Sequence, residues 1–276
     1  MPELPEVETV RRTLDSWIKG RTIRDVRIFY DGLLRDIDVP SFKSTLIGET
    51  SDGVGRYGKY LFFRYDGITL IVHLRMEGKF YIKPEHEPKE KHEHVFFVFE
   101  DGMSLRYHDV RKFGTMEIVP HGKEMQGKGI DKLGPEANSD AFTRDYLLSK
   151  LKVTRRAVKT TLLDQKVVAG LGNIYVDETL FRAGIDPRSR ACDLNEQDAK
   201  KIVASAKNVI CKAIKLGGTT IRSYTSSLGV SGRFQNDLMV HMREGELCKA
   251  CGETIIKIKV GGRGTYLCPV CQMYKT

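Results

Sequence analysis

The sequence predicts an α+β chain in which an N-terminal β-sandwich with a flanking helix is followed by a helical region and a short cysteine-stapled β-hairpin. Three observations predict it. Short β-branched and aromatic runs separated by Asp-Gly turns fill residues 22 to about 119. Apolar residues then recur at helical spacing, most clearly from Ala199 to Ile214. Near the end of the chain, Cys248-x2-Cys251 is repeated as Cys268-x2-Cys271. At 276 residues the chain is long enough to build two cores.

The first element is a helix. Val7, Val10, Leu14, Trp17 and Ile18 follow a helical period that ends at Gly20, and Pro5 suits a first turn. Ahead of it stands Met1-Pro2-Glu3-Leu4-Pro5-Glu6. Removal of Met1 would leave Pro2 as a secondary amine beside the Glu3 carboxylate. Such an amine can attack a sugar carbon and collapse to an iminium, which no amide nitrogen within a chain can do. A free α-amino group titrates at about 7.7 to 8.0, so a neutral fraction exists near pH 7. The helix N-terminus favours that neutral form, whereas Glu3 and Glu6 oppose it. Taken by themselves, these residues read more simply as an ordinary Pro/Glu helix start.

Strands are expected at Ile23 to Ile28, Tyr60 to Tyr65, Ile68 to Leu74, His94 to Phe99 and Met103 to Tyr107, with turns at Asp66-Gly67 and Asp101-Gly102. The Gly- and Lys-rich stretch from His121 to Gly134 lacks periodicity and reads as a linker. Helices follow at Tyr146 to Leu151, Arg156 to Val168 and Ile174 to Ala183, and Asp193-Leu194-Asn195-Glu196 resembles a capping box before the long helix. Between the second and third of these, Ala169-Gly170-Leu171-Gly172-Asn173 reads as a tight turn in which Asn173 caps the next helix, at an end suited to phosphate. The expected domains are 1–120, a linker at 121–133, a helical domain at 134–237 with a polar loop at 217–237, and a terminal module at 238–276.

Two Cys-x-x-Cys pairs a hairpin apart supply four thiolates to one tetrahedral ion, which points to a single Zn2+. Four sulfur ligands leave no open position for water, so the metal is structural. Ile255 to Val260 and Thr265 to Leu267 read as the hairpin strands, with Gly261-Gly262-Arg263-Gly264 as the turn. Arg263 is then poised to grip a phosphate bidentately.

The net charge of +9 indicates a polyanionic partner. Its basic residues cluster: Lys150 to Lys166 holds six Lys/Arg against one acid, and Cys248 onward holds five against one. No apolar run reaches the length of a membrane span, and the acidic N-terminus lacks the basic and apolar regions of a signal peptide. A cytoplasmic protein with no membrane partner is expected, with Cys192 and Cys211 as buried thiols.

In order along the chain, Pro2-Glu3-Leu4-Pro5-Glu6-Val7-Glu8-Thr9, Arg56-Tyr57-Gly58-Lys59-Tyr60, His73-Leu74-Arg75-Met76-Glu77-Gly78, Lys91-His92-Glu93-His94-Val95, Asp109-Val110-Arg111-Lys112-Phe113-Gly114, Gly172-Asn173-Ile174-Tyr175 and the terminal cysteines resemble the formamidopyrimidine-DNA glycosylase family, bacterial base-excision repair enzymes. The resemblance implies a β-sandwich, a helix-two-turns-helix module and a zinc finger. It also implies a bifunctional glycosylase and AP lyase, a monomer, acting on double-stranded DNA that contains oxidised purines or abasic sites.

By this resemblance Pro2 is the Schiff-base nucleophile and Glu3 the acid/base that aids opening of the sugar. Lys59 matches a lysine of β-elimination and phosphate contact, and Arg263 an arginine of δ-elimination. His92, Arg111 and Asn173 match DNA-contacting positions. Met76, Arg111 and Phe113 match residues that fill the gap left by an extruded base, and Glu77 lies within the same segment. Two positions depart from the pattern. A phosphate-contacting lysine falls near Thr154-Arg155, so its role passes to Arg155 only loosely, and Val240-His241-Met242-Arg243 replaces a Tyr-Gly-Arg-like stretch. Two alternatives remain: a related enzyme of the endonuclease VIII type, preferring oxidised pyrimidines, and a non-catalytic DNA-damage binding protein. Leu4 with Val7-Glu8 and the long polar loop favour the purine branch.

Overall fold

The computed structural model describes residues 2–219 and 232–276. The centre of the polar loop expected at 217–237 lies outside the described residues, as does Met1. The chain divides into two compact units, one running to Asp131 and the other comprising Lys132–Thr219 and Arg233–Thr276.

The first unit opens with α1 (Leu4–Ile18), whose N-cap is Glu3 and whose first turn holds Pro5. Glu3 and Glu6 form a reciprocal capping box: the Glu3 side chain accepts the Glu6 N–H, and Glu6 Oε2 accepts the Glu3 N–H at 2.9 Å. Leu4, Val7, Val10, Leu14 and Ile18 form the buried face, each contributing about 1.5–3 kcal/mol. Next come β1 (Ile23–Ile28), α2 (Val39–Leu46), β2 (Gly53–Tyr57), β3 (Tyr60–Arg64), β4 (Ile68–His73), β5 (Lys79–Pro84), β6 (Glu93–Phe99), β7 (Met103–His108) and β8 (Thr115–Pro120).

These strands make two antiparallel sheets, ordered β1-β6-β7-β5 and β2-β3-β4-β8. Their inner faces share one core, in which Val26, Phe80, Phe97 and Leu105 of the first sheet join Leu61, Phe63, Leu70 and Val72 of the second and the buried face of α1. The expected sandwich is present, with three further strands. Each of those lacks a plain alternating run: β2 carries two glycines, and β5 and β8 both end in proline.

Arg106 on β7 is fully buried. Its guanidinium donates to the carbonyls of Pro84 and Glu87 at 2.8 and 2.9 Å and to Ser104 Oγ at 2.9 Å, and meets Glu93 at 3.3 Å. It also lies 4.3 Å over the Phe96 ring. One buried cation thereby fastens the segment that leads from β5 to β6.

The second unit contains α3 (Arg144–Lys152), α4 (Val158–Leu163), α5 (Asn173–Ala183), α6 (Glu196–Lys215) and a two-stranded ribbon of β9 (Ile256–Val260) and β10 (Arg263–Leu267). Four sequence expectations are corrected here. The helix expected from Arg156 to Val168 is only α4, because Lys166 and Val167 turn back onto Asp164. The capping box of α6 joins Asn195 to Asp198, so Asn195 and not Asp193 is the N-cap. The ribbon turn is only Gly261-Gly262, both at positive φ, and Arg263 already pairs with Val260. Cys211 is exposed, since the apolar face of α6 runs through Val209, Ile210 and Ala213 and leaves Cys211 on the other side; Cys192 is half-buried.

Replacing Arg106 by Met should lower the stability of the first unit by about 3–5 kcal/mol, because Glu93 and several carbonyls lose a buried cation. Urea unfolding measures this. A loss below about 1 kcal/mol would show that the clamp contributes little.

Candidate nucleic-acid interface

Strand pairing gathers the candidate residues of the first unit at one end of its sandwich. In the second sheet Tyr60 pairs with His73 and His73 with Thr115; in the first, Lys79 and Glu93 both pair with His108. The turn bearing Lys59, the connection bearing Met76 and Glu77, the residue preceding β6, His92, and the connection bearing Arg111 and Phe113 all emerge at these strand ends. Residues far apart in sequence become neighbours because antiparallel strands place alternate connections at the same end.

Pro2 is buried just ahead of α1, and the Glu3 carboxylate is held on the first turn of that helix. Glu8, one turn further along α1, reaches Arg56 Nε at 3.0 Å, while Arg56 Nη1 donates to the Gly58 carbonyl at 2.9 Å. The start of α1 is thus tied to the β2–β3 turn that presents Lys59, whose side chain is 5 % exposed. Burial of Glu8 is outweighed by its bonds to Arg11, Arg56 and Arg12, which hold its carboxyl below the usual range.

Burial, with the nearby charges of Arg75 and Lys59, lowers the pKa of His73 to about 3. Its Nδ1 accepts the Arg75 N–H at 2.9 Å, which leaves the ring proton on Nε2. Beyond it, Arg111 Nη1 lies 2.9 Å from Met76 Sδ, and the Arg111 guanidinium lies 4.7 Å over the Phe113 ring. Met76 and Phe113 are 39 % and 51 % exposed. His92, half-buried and at a φ of 71°, stands 5.8 Å from the His108 ring. Glu77 raises the pKa of Lys79, although burial dominates and lowers it.

In the second unit Asn173 is not a cap. Gly172 occupies the N-cap position, and Asn173 Nδ2 instead donates to the Gly264 carbonyl at 2.9 Å, beside Arg263. The same carbonyl accepts from Lys159 Nζ at 3.0 Å. Lys159, one of the six basic residues of the Lys150 to Lys166 cluster, is fully buried. Its ammonium also donates to Asp177 Oδ1 at 2.7 Å and to Thr265 Oγ1 at 2.8 Å.

The other oxygen of Asp177 meets His241 Nδ1 at 2.8 Å, and the His241 ring packs edge-on against Tyr266. Next along α5, Glu178 accepts the N–H groups of Met239, Val240 and His241 at 3.0 Å. A network of buried charges therefore sets the ribbon and its Arg263 against α4 and α5. Sequence reasoning missed Lys159, Asp177 and Glu178. The available signal was two adjacent carboxylates among the apolar residues Ile174, Tyr175, Val176, Leu180 and Phe181. Arg263 itself is exposed, as is Arg155 on the link between α3 and α4.

The four cysteine sulfurs lie within 4.8 Å of one another, with Cys248 and Cys271 at 3.9 Å and Cys251 and Cys268 at 3.4 Å. Zn–S bonds of about 2.3 Å give a tetrahedron with edges of about 3.8 Å, so the cluster fits one ion. The N–H groups of Ala250 and Cys271 point at Cys248 and Cys268 sulfur at 3.4 Å, as donors that support thiolates. Cys248, Cys251, Cys268 and Cys271 would hold the ion, and its role is to fix the ribbon. Among the described residues, no helix is long and apolar enough to cross a membrane.

Three family models match the chain: formamidopyrimidine-DNA glycosylase N-terminal domain over residues 1–116, formamidopyrimidine-DNA glycosylase H2TH domain over 133–225, and a zinc finger found in FPG and IleRS over 245–272. A formamidopyrimidine-DNA glycosylase of Bacillus subtilis is 49 % identical over 276 residues, spanning 100 % of both chains. Among solved structures, a Lactococcus lactis FPG variant in complex with a Fapy-dG containing DNA superimposes with a TM-score of 0.93 at 43 % identity, covering 99 % of this chain and 100 % of that one. MutM in complex with carbocyclic 8-oxo-G containing DNA gives a TM-score of 0.91 at 42 % identity, with coverage of 99 % and 100 %.

Two outcomes follow from this geometry. Metal analysis should find one zinc per chain, and none or two would contradict the four-sulfur site. His73 should make stability pH-dependent. As pH falls below about 6.5 the unfolded chain takes up a proton that the folded imidazole accepts only near pH 3, so stability drops across that window. His73→Asn keeps an acceptor for the Arg75 N–H and removes this slope. The melting temperatures of the two proteins should converge toward acid, and parallel curves would refute the assignment.

Proposed function

Because the chain belongs to the formamidopyrimidine-DNA glycosylase family, we propose that it excises oxidised purines, formamidopyrimidines and 8-oxoguanine, from duplex DNA and cleaves the strand at the resulting abasic site. The observation that carries this reading is the full-length match to that family, in a chain with Pro2 and Glu3 at the head of a capped, buried helix. A DNA-repair role would place it in the bacterial cytoplasm, with the DNA.

In this reading the enzyme first extrudes the lesion, at an expense of a few kcal/mol of stacking and pairing. Met76, Arg111 and Phe113 fill the vacancy, and His92, Asn173 and Arg263 hold phosphates. The Pro2 nitrogen, freed by loss of Met1, attacks C1′, and the bond from C1′ to the base breaks with its electron pair leaving on the base. The nitrogen then gives up its N–H proton to the departing base, and Glu3 delivers a proton to the ring oxygen as the nitrogen lone pair opens the sugar, giving an iminium between Pro2 and C1′. The iminium acidifies C2′; loss of a C2′ proton expels the 3′ phosphate, with Lys59 beside it. Loss of a C4′ proton then expels the 5′ phosphate, with Arg263 assisting, and water hydrolyses the iminium to free Pro2. No metal or external oxidant enters these steps. The zinc finger presents Arg263, and Arg155 supplies a further phosphate contact.

Pro2→Gly should lose nearly all strand cleavage, and Glu3→Gln should lose base excision while both still bind a lesion duplex. Gel assays with 8-oxoguanine and thymine glycol duplexes check this and the substrate class together. Clear preference for thymine glycol would overturn the purine assignment, and undiminished cleavage by either variant would remove that residue from its role. Stripping zinc should weaken duplex binding at least tenfold, about 1.4 kcal/mol, by releasing the ribbon that carries Arg263. Full affinity in verified zinc-free protein would contradict it.

A further inference from the structure

The two connections that carry Met76 and Arg111–Phe113 run side by side between the sheets. One passes from β4 to β5 and the other from β7 to β8, and their ends are paired: His73 with Thr115, and Lys79 with His108. At their tips the side chains of Met76, Arg111 and Phe113 touch, in the contacts given above. At their roots lies a second, buried cluster that none of the roles above uses.

Asp109 is 1 % exposed. Its Oδ1 accepts the Arg111 N–H at 3.0 Å, and its Oδ2 accepts the N–H groups of Phe113 and Gly114 at 3.0 and 2.9 Å and the Tyr107 hydroxyl at 3.3 Å. One carboxylate thus gathers three backbone donors from the turn that bears Arg111 and Phe113. Between them Lys112 is held at a φ of 55°, with its ammonium 4.5 Å over the Tyr30 ring. The Asp109 carbonyl in turn meets His94 Nε2 at 2.9 Å.

Tyr107 extends this order to the other connection. It is fully buried, and its hydroxyl oxygen occupies the space that a side chain would need on both turns. A Cβ on Gly78 would lie 2.3 Å from that oxygen, and one on Gly114 would lie 1.8 Å from it. The phenol is therefore packed against the backbone of both connections at once, and the absence of side chains at Gly78 and Gly114 is what lets it sit there.

We infer that Asp109 and Tyr107 are positioning residues for lesion extrusion, setting the wedge of Met76, Arg111 and Phe113 in the register needed to enter the vacated space. The inference rests on the reading that those three side chains fill it. Asp109 and Tyr107 are both buried beneath the wedge. A carboxylate that accepts several N–H groups is a rigid template, and a wedge misplaced by about 1 Å can slow a reaction by up to about 100-fold.

Asp109→Asn is isosteric but places an amide donor among backbone donors. It should slow excision of 8-oxoguanine from a fully paired duplex by about 10- to 100-fold, while cleavage of a preformed abasic site, which has no base to unstack, changes less than about twofold. Tyr107→Phe, which keeps the ring, should shift the same ratio in the same direction by a smaller factor. Equal losses on both substrates, or none on the duplex lesion, would overturn the inference.

Phe113→Ala separates it from the reading on which it rests. If Phe113→Ala excises normally, the wedge reading fails. If Phe113→Ala is slow and Asp109→Asn slows it further by its full separate factor, the wedge reading stands and the positioning role fails. The inference requires the double variant to be little slower than the slower single one.

Discussion

Two strand pairings, β4 with β8 and β5 with β7, oblige the two connections between the sheets to run side by side. Most of the candidate interface of the first unit follows from that constraint. His73 opposite Thr115 and Lys79 opposite His108 place a methionine from one connection against an arginine about 35 residues later, which in turn lies over a phenylalanine of its own connection. The β2–β3 turn with Lys59 and the start of β6 with His92 share the same sheet end, so the start of α1, Lys59 and the Met76, Arg111 and Phe113 group belong to one compact unit. Side chains on paired strand ends keep their spacing far better than side chains on free loops, and extrusion followed by attack at one carbon requires such spacing.

The second unit solves a different problem with buried charge. A ribbon of two short strands has little core of its own and would not hold an arginine in place. Zinc closes it at one end. At the other, Lys159 and Asp177 form a pair with no solvent exposure, and Lys159 has three acceptors for its three donors. Breaking such a pair by removing one partner typically costs about 3–5 kcal/mol, whereas the intact pair adds little net stability. Its value here is orientation: Gly264, the neighbour of Arg263, is gripped by both Lys159 and Asn173. His241 completes the arrangement, and it stands where the family resemblance would place an aromatic tyrosine.

Much of this was legible in the sequence, for identifiable reasons. Strands such as Ile68–His73 and Glu93–Phe99 announce themselves because their apolar content is continuous, and the cysteine spacing announces the ribbon. Strand β2, Gly53–Tyr57, was hidden because its glycines carry no side-chain pattern and it is ordered by pairing with β3 and packing under α1. The ordinary capping role of Glu3 was visible as Pro/Glu chemistry, and the structure retains it: the same carboxylate caps α1 and stands beside Pro2. Asn173 read as a cap because asparagine before a helix usually is one, yet its amide is recruited by a carbonyl some 90 residues away. Lys159 was unreadable for the same reason, because Asp177 lies 18 residues away and Gly264 and Thr265 more than 100. Asp109 takes its donors from the turn that follows it, and a backbone N–H leaves no mark in a sequence.

If the Pro2 nitrogen forms a covalent iminium with the sugar, as proposed, borohydride reduction of the protein on an 8-oxoguanine duplex should trap it. Peptide mass spectrometry is then expected to find a DNA adduct on an N-terminal peptide that begins at Pro2. An adduct on Lys59 or another lysine, or none at all in protein verified to begin at Pro2 and to bind the duplex, would contradict it.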